Sequence, residues 1–219
     1  MEKFIEIKDL SVSFDVRGGL FLRKIGTIKA VNNVSFSINK GEILGVVGES
    51  GCGKSTLARL ILCLIAPNNG SVTFNGNDIL KLSKKGIRLQ RRHMQMVFQD
   101  PYSAMDPRYT IFRSLCEPFQ IQNVRFEKAA RQKKIDDLLE LVGLSSEHGF
   151  AYPHQLSGGQ KQRADIARAL ALTPQFIILD EPTAALDVSV QAQIIKLLED
   201  LRERLNLTFL FISHDLSLV

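Results

Sequence analysis

Cysteine is scarce in this chain, which has only Cys52, Cys63 and Cys116. An odd number, at spacings that suit neither a zinc site nor a disulfide framework, excludes both as sources of stability. Thiols left reduced, buried or in loops, are the simplest account. Long apolar runs are also missing: the longest, Leu60 to Ala66, is far too short to span a bilayer. Work at a membrane would therefore need other chains to supply the membrane part. The start, MEKFIEIKDL, is acidic and alternating, so it does not read as a secretory signal. There is no internal repeat and no low-complexity tract.

What is present suits an ordinary globular domain. The chain has 219 residues, 45% of them hydrophobic, and a formal charge of +5. That length predicts one domain over residues 1–219, with room for a sizeable subdomain. The charge admits nucleic acid, a membrane surface or a nucleotide as partner and does not choose among them.

FIEIKDLSVSF, residues 4–14, alternates apolar and polar positions as a half-buried strand does. DVRGGLFLRKIG (15–26) reads as a loop, and VNNVSFSI (31–38) as a second alternating strand. EILGVV (42–47) is a short continuous apolar run, which suits a strand buried on both faces. KSTLARLILCLI (54–65) reads as a helix stopped by Pro67, and SVTFNGNDI (71–79) as a strand and turn. Residues 100–156 carry Pro101, Pro107, Pro118 and Pro153 around one long helical pattern, FEKAARQKKIDDLLELVGL. This predicts a helical insertion. Strand and helix then alternate again: a helix to Leu172, the strand FIILD, the helix VSVQAQIIKLLEDLRERL and the strand LTFLFIS. Such alternation predicts an α/β fold with a parallel sheet.

Chemistry enters at Gly48-Glu49-Ser50-Gly51-Cys52-Gly53-Lys54-Ser55, which matches G-x-x-x-x-G-K-[ST] between a buried strand and a helix, with Thr56 following. The glycines let the backbone wrap around phosphates, and the helix start offers unpaired N–H groups. Lys54 would reach the β- and γ-phosphates, and the Ser55 hydroxyl would ligate Mg²⁺. Thr56 stands where a dinucleotide fingerprint would need its last glycine. Asp180 sits at the C-terminal end of FIILD, the edge where ligands bind in open α/β sheets, and could hold Mg²⁺. Glu181 follows and could polarise an attacking water. Gln99, closing the strand-like MQMVFQ, could hold a water or a metal through its carbonyl oxygen. His214, after LTFLFIS, could hydrogen-bond a γ-phosphate. His93, His148 and His154 read as structural. A second anion-binding start, Ser157-Gly158-Gly159-Gln160, opens the helix after residue 156.

In order and spacing these residues resemble the ATP-binding subunits of ABC transporters, nearly end to end. The matching parts are the phosphate loop at 48–56, Gln99, the signature LSGGQ at 156–160, the strand 176–180 with Glu181, the loop AALD at 184–187 and His214. The stretches KAVNNVSFSI, VVGESGCGKSTLARLIL, QMVFQDPYSAMDPR, YPHQLSGGQKQR and EPTAALDVSVQAQI resemble the oligopeptide and dipeptide importers, a branch that includes nickel importers.

The resemblance implies a P-loop NTPase fold of the ABC type, mostly a parallel sheet with an N-terminal antiparallel β subdomain and a helical subdomain at about 100–165. It implies an ATPase at the cytoplasmic face of the membrane that drives solute import, with ATP and Mg²⁺ as cofactors. Lys54 and the loop would cradle phosphates. Ser55, Gln99 and Asp180 would serve Mg²⁺, Glu181 would be the general base, and His214 would touch the γ-phosphate. Phe14 is the candidate for stacking on adenine, with a place in the core as the alternative. The implied partners are membrane-spanning permease subunits, met near Tyr102 to Phe119, and indirectly a substrate-binding protein. A second ATPase subunit, identical or paralogous, would pair head to tail, so that Ser157, Gly158, Gly159 and Gln160 close on its ATP. A soluble ABC ATPase without a transport role and a non-hydrolysing nucleotide-binding module are the rival readings, and no nucleic acid is expected.

Ala184 replaces the common serine of its loop. Asp165 stands where small residues are frequent, placing a charge beyond the signature with little effect expected on binding. The chain ends at Val219, five residues past His214, whereas the family continues with more strands. This raises the expectation of a truncated form with an incomplete sheet and lower stability.

Overall fold

The computed structural model describes residues 3–18, 23–100 and 104–215. Tyr102, the tip of the predicted loop at 19–22 and the end at Val219 lie outside the described residues. Two sheets organise the rest. The first is antiparallel, in the order β2-β1-β4-β5, from β1 (Lys3–Gly18), β2 (Arg23–Asn39), β4 (Asn69–Phe74) and β5 (Asn77–Asp78). The second is parallel, in the order β3-β8-β7-β6, from β3 (Ile43–Val47), β6 (Met94–Val97), β7 (Phe176–Asp180) and β8 (Thr208–Ser213).

The apolar runs of β7 and β8 follow from the parallel sheet being covered on both faces, whereas β3, expected to be buried, is an edge strand and only half-buried, with Ile43 exposed. In β7, Phe176 and Ile178 join a core with Ile5, Ile7, Val72 and Leu60 of the antiparallel sheet and α1 (Lys54–Ile61). The alternate residues Ile177 and Leu179 face a second core built on helices. Those helices are α3 (Ile111–Ile121), α4 (Lys128–Leu141), α5 (Gly158–Leu170) and α6 (Val188–Leu205). A strand buried on both faces has no polar face to show, so period-two alternation disappears.

Three local expectations are corrected. The residues read as a loop at 15–26 are strand at 15–18 and 23–26, because β1 and β2 continue their pairing, Phe14 with Ile28 and Val16 with Gly26. The helix expected to reach Ile65 ends at Ile61. Cys63 takes a left-handed φ of 53°, and Leu64 N–H donates to Arg59 O at 2.8 Å. The Arg91 side chain donates to Leu62 O and Cys63 O at 3.1 and 2.7 Å, satisfying carbonyls the helix leaves open. Finally, Pro118 lies inside α3 rather than beside a helix. A proline there costs about 3 kcal/mol, and burial of Ile111, Leu115 and Phe119 offsets it.

The three cysteines are free thiols, as expected, and burial raises the Cys63 and Cys116 thiols above their usual range. Among the described residues no helix is long and apolar enough to cross a membrane.

Candidate active site

Four parallel strands end on one edge, and each delivers one element of the site. The register pairs Val47 with Ser213, Asp180 with Ile212 and Val97 with Leu179, so the strand ends are nearly level. The phosphate loop follows β3, Asp180 and Glu181 close β7, and His214 follows β8. Gln99 lies two residues beyond β6, which stops at Val97 rather than running to Gln99.

The loop's geometry explains its glycines. Gly53 caps α1 with φ 104°, and a Cβ there would lie 2.1 Å from Ala30 O. No L side chain fits that backbone or that space. No side chain caps α1, so its first-turn N–H groups face the cleft unclaimed by a capping residue. Lys54 is buried, and its ammonium donates to Gly48 O at 2.6 Å and Glu49 O at 2.9 Å.

Glu181 is the hub. Its Oε2 accepts from Gln99 Nε2 at 2.9 Å and lies 3.1 Å from His214 Nδ1, while Oε1 is 3.8 Å from Lys54 Nζ. Its backbone is left-handed, φ 47°, and its N–H donates to Ile212 O at 2.9 Å. A glutamate pays for that conformation, which points to function at this position. Asp180 is buried, and burial raises its carboxyl above the usual range. The neighbouring Ser55 hydroxyl pulls the other way, and the Glu181 charge adds to the rise. Asp180 Oδ1 is buried with no hydrogen-bond partner. An orphaned carboxylate oxygen beside a serine hydroxyl fits a hard cation that takes few protein ligands and fills the rest with water and phosphate.

A cleft of about 340 Å³ brings Ser50, Gly51, Cys52, Gly53, Lys54, Ser55, Thr56, Gln99 and Glu181 together, with Ile28, Lys29 and Ala30 of β2 as one wall. Sequence reasoning missed that wall, because residues up to 26 read as a loop; the continuing β2 alternation was the available signal. Phe14 is 45% exposed, so it is not a core residue, and it pairs across the hairpin with the 60%-exposed Ile28.

The signature forms a separate cluster. Ser157 caps α5: its Oγ accepts from Gln160 N–H at 3.2 Å, and Gln160 Oε1 accepts from Ser157 N–H at 2.9 Å. Gln160 Nε2 also meets His148 Nε2 at 3.1 Å, so the structure gives Gln160 an internal task. His148 is structural, as read. Asp165 is buried rather than displayed near the anion site. It accepts from Phe98 N–H at 3.3 Å and pairs with Arg168 at 2.8 Å.

A glycine loop with its lysine, a strand-end aspartate and an adjoining glutamate define a P-loop nucleotide site of the kind built for phosphoryl chemistry. The chain belongs to the ABC transporter family, whose profile, described as "ABC transporter", matches residues 31–184. It is 51% identical over 219 residues to the oligopeptide transport ATP-binding protein AppF of Bacillus subtilis (strain 168), covering 100% of this chain and 66% of that one. The glutathione import ATP-binding protein GsiA of Pectobacterium atrosepticum is 46% identical over 218 residues, covering 100% of this chain and 35% of that protein. The chain thus spans about two thirds, or less, of the length of these relatives. Among solved structures, the dimeric ATP-binding cassette MJ0796, in a post-hydrolysis state bound to ADP and Pi, superposes with a TM-score of 0.84. It is 30% identical, and the match covers 98% of this chain and 89% of that chain.

Proposed function

We propose that the chain is the ATP-hydrolysing subunit of an importer of oligopeptides or dipeptides. The observation that carries this is the convergence of Lys54, Gln99 and His214 on the Glu181 carboxylate at the parallel sheet's edge. Lys54 exchanges the loop carbonyls for the β- and γ-phosphates, and the loop and α1 N–H groups cradle them. Glu181 takes the proton of the attacking water as general base. Gln99, whose amide nitrogen serves Glu181, presents its carbonyl oxygen to that water or to the metal. His214 bridges Glu181 and the γ-phosphate. Mg²⁺, held by Ser55, Asp180 and Gln99, would neutralise charge on the phosphates. Phe14, beside Ile28, would stack on adenine. A nickel or other solute importer is the alternative for cargo.

Ser157, Gly158 and Gly159 do not line the phosphate-loop cleft. This supports a head-to-tail dimer, with an identical or paralogous subunit, in which the signature of each cassette closes on the other's ATP. MJ0796, which this chain resembles, is dimeric. Residues of about 100–165 would act as the helical subdomain, and permease subunits would dock in the apolar groove of about 280 Å³ that includes Leu64, Phe98, Pro118 and Ile121. The assembly would sit at the cytoplasmic face of the membrane, fed by a substrate-binding protein.

Glu181→Gln tests the site: ATP binding, read by fluorescence of a nucleotide analogue, should persist while turnover drops at least 100-fold. Wild-type turnover in that variant removes Glu181 as the base. The dimer predicts an ATPase rate that rises more than linearly with protein concentration; strict proportionality down to dilute protein refutes it.

A further inference from the structure

The net charge of +5 has a single address. Between Asp78 and Asp100 lie six of the 28 Lys and Arg residues and none of the 23 Asp and Glu, leaving 22 basic against 23 acidic residues elsewhere. The centre of this segment is α2 (Lys84–Gln90), a short helix capped by Ser83. Lys84, Lys85, Arg88 and Leu89 are exposed, whereas Gly86, Ile87 and Gln90 are half-buried, so the helix shows solvent one basic face with an apolar residue on it. Lys81, one turn before, is exposed on the same approach and pairs with Asp78 at 2.9 Å. Among the described residues no other ion pair involves these six basic side chains. Arg91 is spent on the carbonyls that end α1.

The helix adjoins the apolar groove. Arg88 O accepts from Gln122 Nε2 at 3.0 Å, and Gln122, Ile121, Leu64 and Arg91 all line that groove. Its apolar rim is open: Leu64 is 48% and Ile121 60% exposed.

We propose that the basic face of α2 contacts anionic lipid headgroups beside the permease. This rests on the groove being the permease docking site. An uninterrupted basic face carrying Leu89 suits a fluid anionic surface, which needs no matching row of fixed carboxylates. An acidic protein partner would have to present that row at helical spacing.

The test is co-sedimentation of the purified chain with phosphatidylcholine vesicles, with and without a third of phosphatidylglycerol. Binding should require the anionic lipid and should collapse at about 0.5 M salt. Since each basic residue near such a surface is worth about fivefold, losing three costs about 100-fold, and Lys84→Glu/Lys85→Glu/Arg88→Glu, which also adds repulsion, should bind at least about 100-fold more weakly, with unchanged melting and basal ATPase. Equal binding to neutral vesicles, or undiminished binding by the triple variant, overturns the proposal. So does a triple variant that keeps vesicle binding but loses capture by detergent-solubilised permease, which would assign the patch to a protein. Leu64→Glu/Ile121→Glu separates the two readings. It should abolish capture by the permease and leave vesicle binding intact; intact capture would sink the docking reading while the vesicle result stands by itself.

Discussion

Replacing Asp165 by alanine should destabilise the protein by about 3 kcal/mol, although the residue lies on an otherwise ordinary helix. Its carboxylate, 1% exposed, holds two groups. Phe98 N–H donates to Oδ2 at 3.3 Å, and the Arg168 guanidinium, 17% exposed, lies 2.8 Å from Oδ1. Removing one partner of a buried pair costs about 3–5 kcal/mol, because the other is left charged and dry. Two terms pull the cost to the lower end. Arg168 also donates to Ala104 O, so it is not stranded. In addition, burial raises the Asp165 carboxyl above its usual range, so the wild-type ion is itself held at a cost. For a chain of this size about 3 kcal/mol lowers Tm by roughly 6–12 °C, readable by circular dichroism. Asp165→Asn retains the shape and one acceptor for Phe98 N–H but turns an NH2 donor toward the Arg168 guanidinium, so it should recover only about 1 kcal/mol of the alanine variant's loss. Melting of the alanine variant within about 0.5 kcal/mol of wild type, or an asparagine variant worse than alanine, refutes this account.

Gly53→Ala should abolish nucleotide binding, because a Cβ would overlap Ala30 O at 2.1 Å on a backbone already at φ 104°; full binding by isothermal titration contradicts the loop geometry. Asp106 should titrate at about 2, since the Arg108 guanidinium hydrogen-bonds its carboxyl. The folded value lies below the unfolded one, so the pair's small contribution is complete above about pH 4 and fades as pH falls through about 2. Arg108→Ala should return the NMR-detected midpoint to the ordinary carboxylate range, and an unmoved midpoint would contradict the assignment.

Legibility in the sequence followed how local the controlling physics is. Helix α6 occupies 188–205, the span its periodicity indicated, because Asp187 and a left-handed Asn206 bound it. Strand β7 was equally plain, being a run buried on both faces between polar neighbours. The early end of α1 was hidden, because the apolar run continues while the carbonyls that end the helix are satisfied by Arg91, 28 residues from Cys63. Helix α3 was hidden by Pro118, whose local cost is overridden by tertiary burial. In the site, Lys54, Asp180, Glu181 and His214 were legible because each follows a recognisable strand, and one sheet edge then gathers them. Asp165 was not, because the Phe98 N–H that draws it inward is 67 residues away. The Ile28 wall was not, because glycines and bases concealed the hairpin arms.

The signature glycines answer to packing. After Glu181 the chain turns tightly: Ala184 N–H donates to Glu181 O at 3.2 Å and Leu186 N–H to Thr183 O at 3.1 Å. Gln191 Nε2 pins the turn through Thr183 O and Leu186 O at 3.1 and 3.0 Å. That turn sets Leu186 and Val190 against the start of α5. A Cβ on Gly158 would lie 3.2 Å from Leu186 Cδ2, and one on Gly159 only 2.7 Å from Val190 Cγ1. A stiff β-branched valine cannot swing aside, so bulk at 159 must move α6 or the turn, and the turn begins at Glu181. The start of α5 is thereby packed against the same short segment that begins at Glu181, whose backbone is left-handed. A glycine needed only as a backbone donor would tolerate a Cβ on its far side; here that side is occupied.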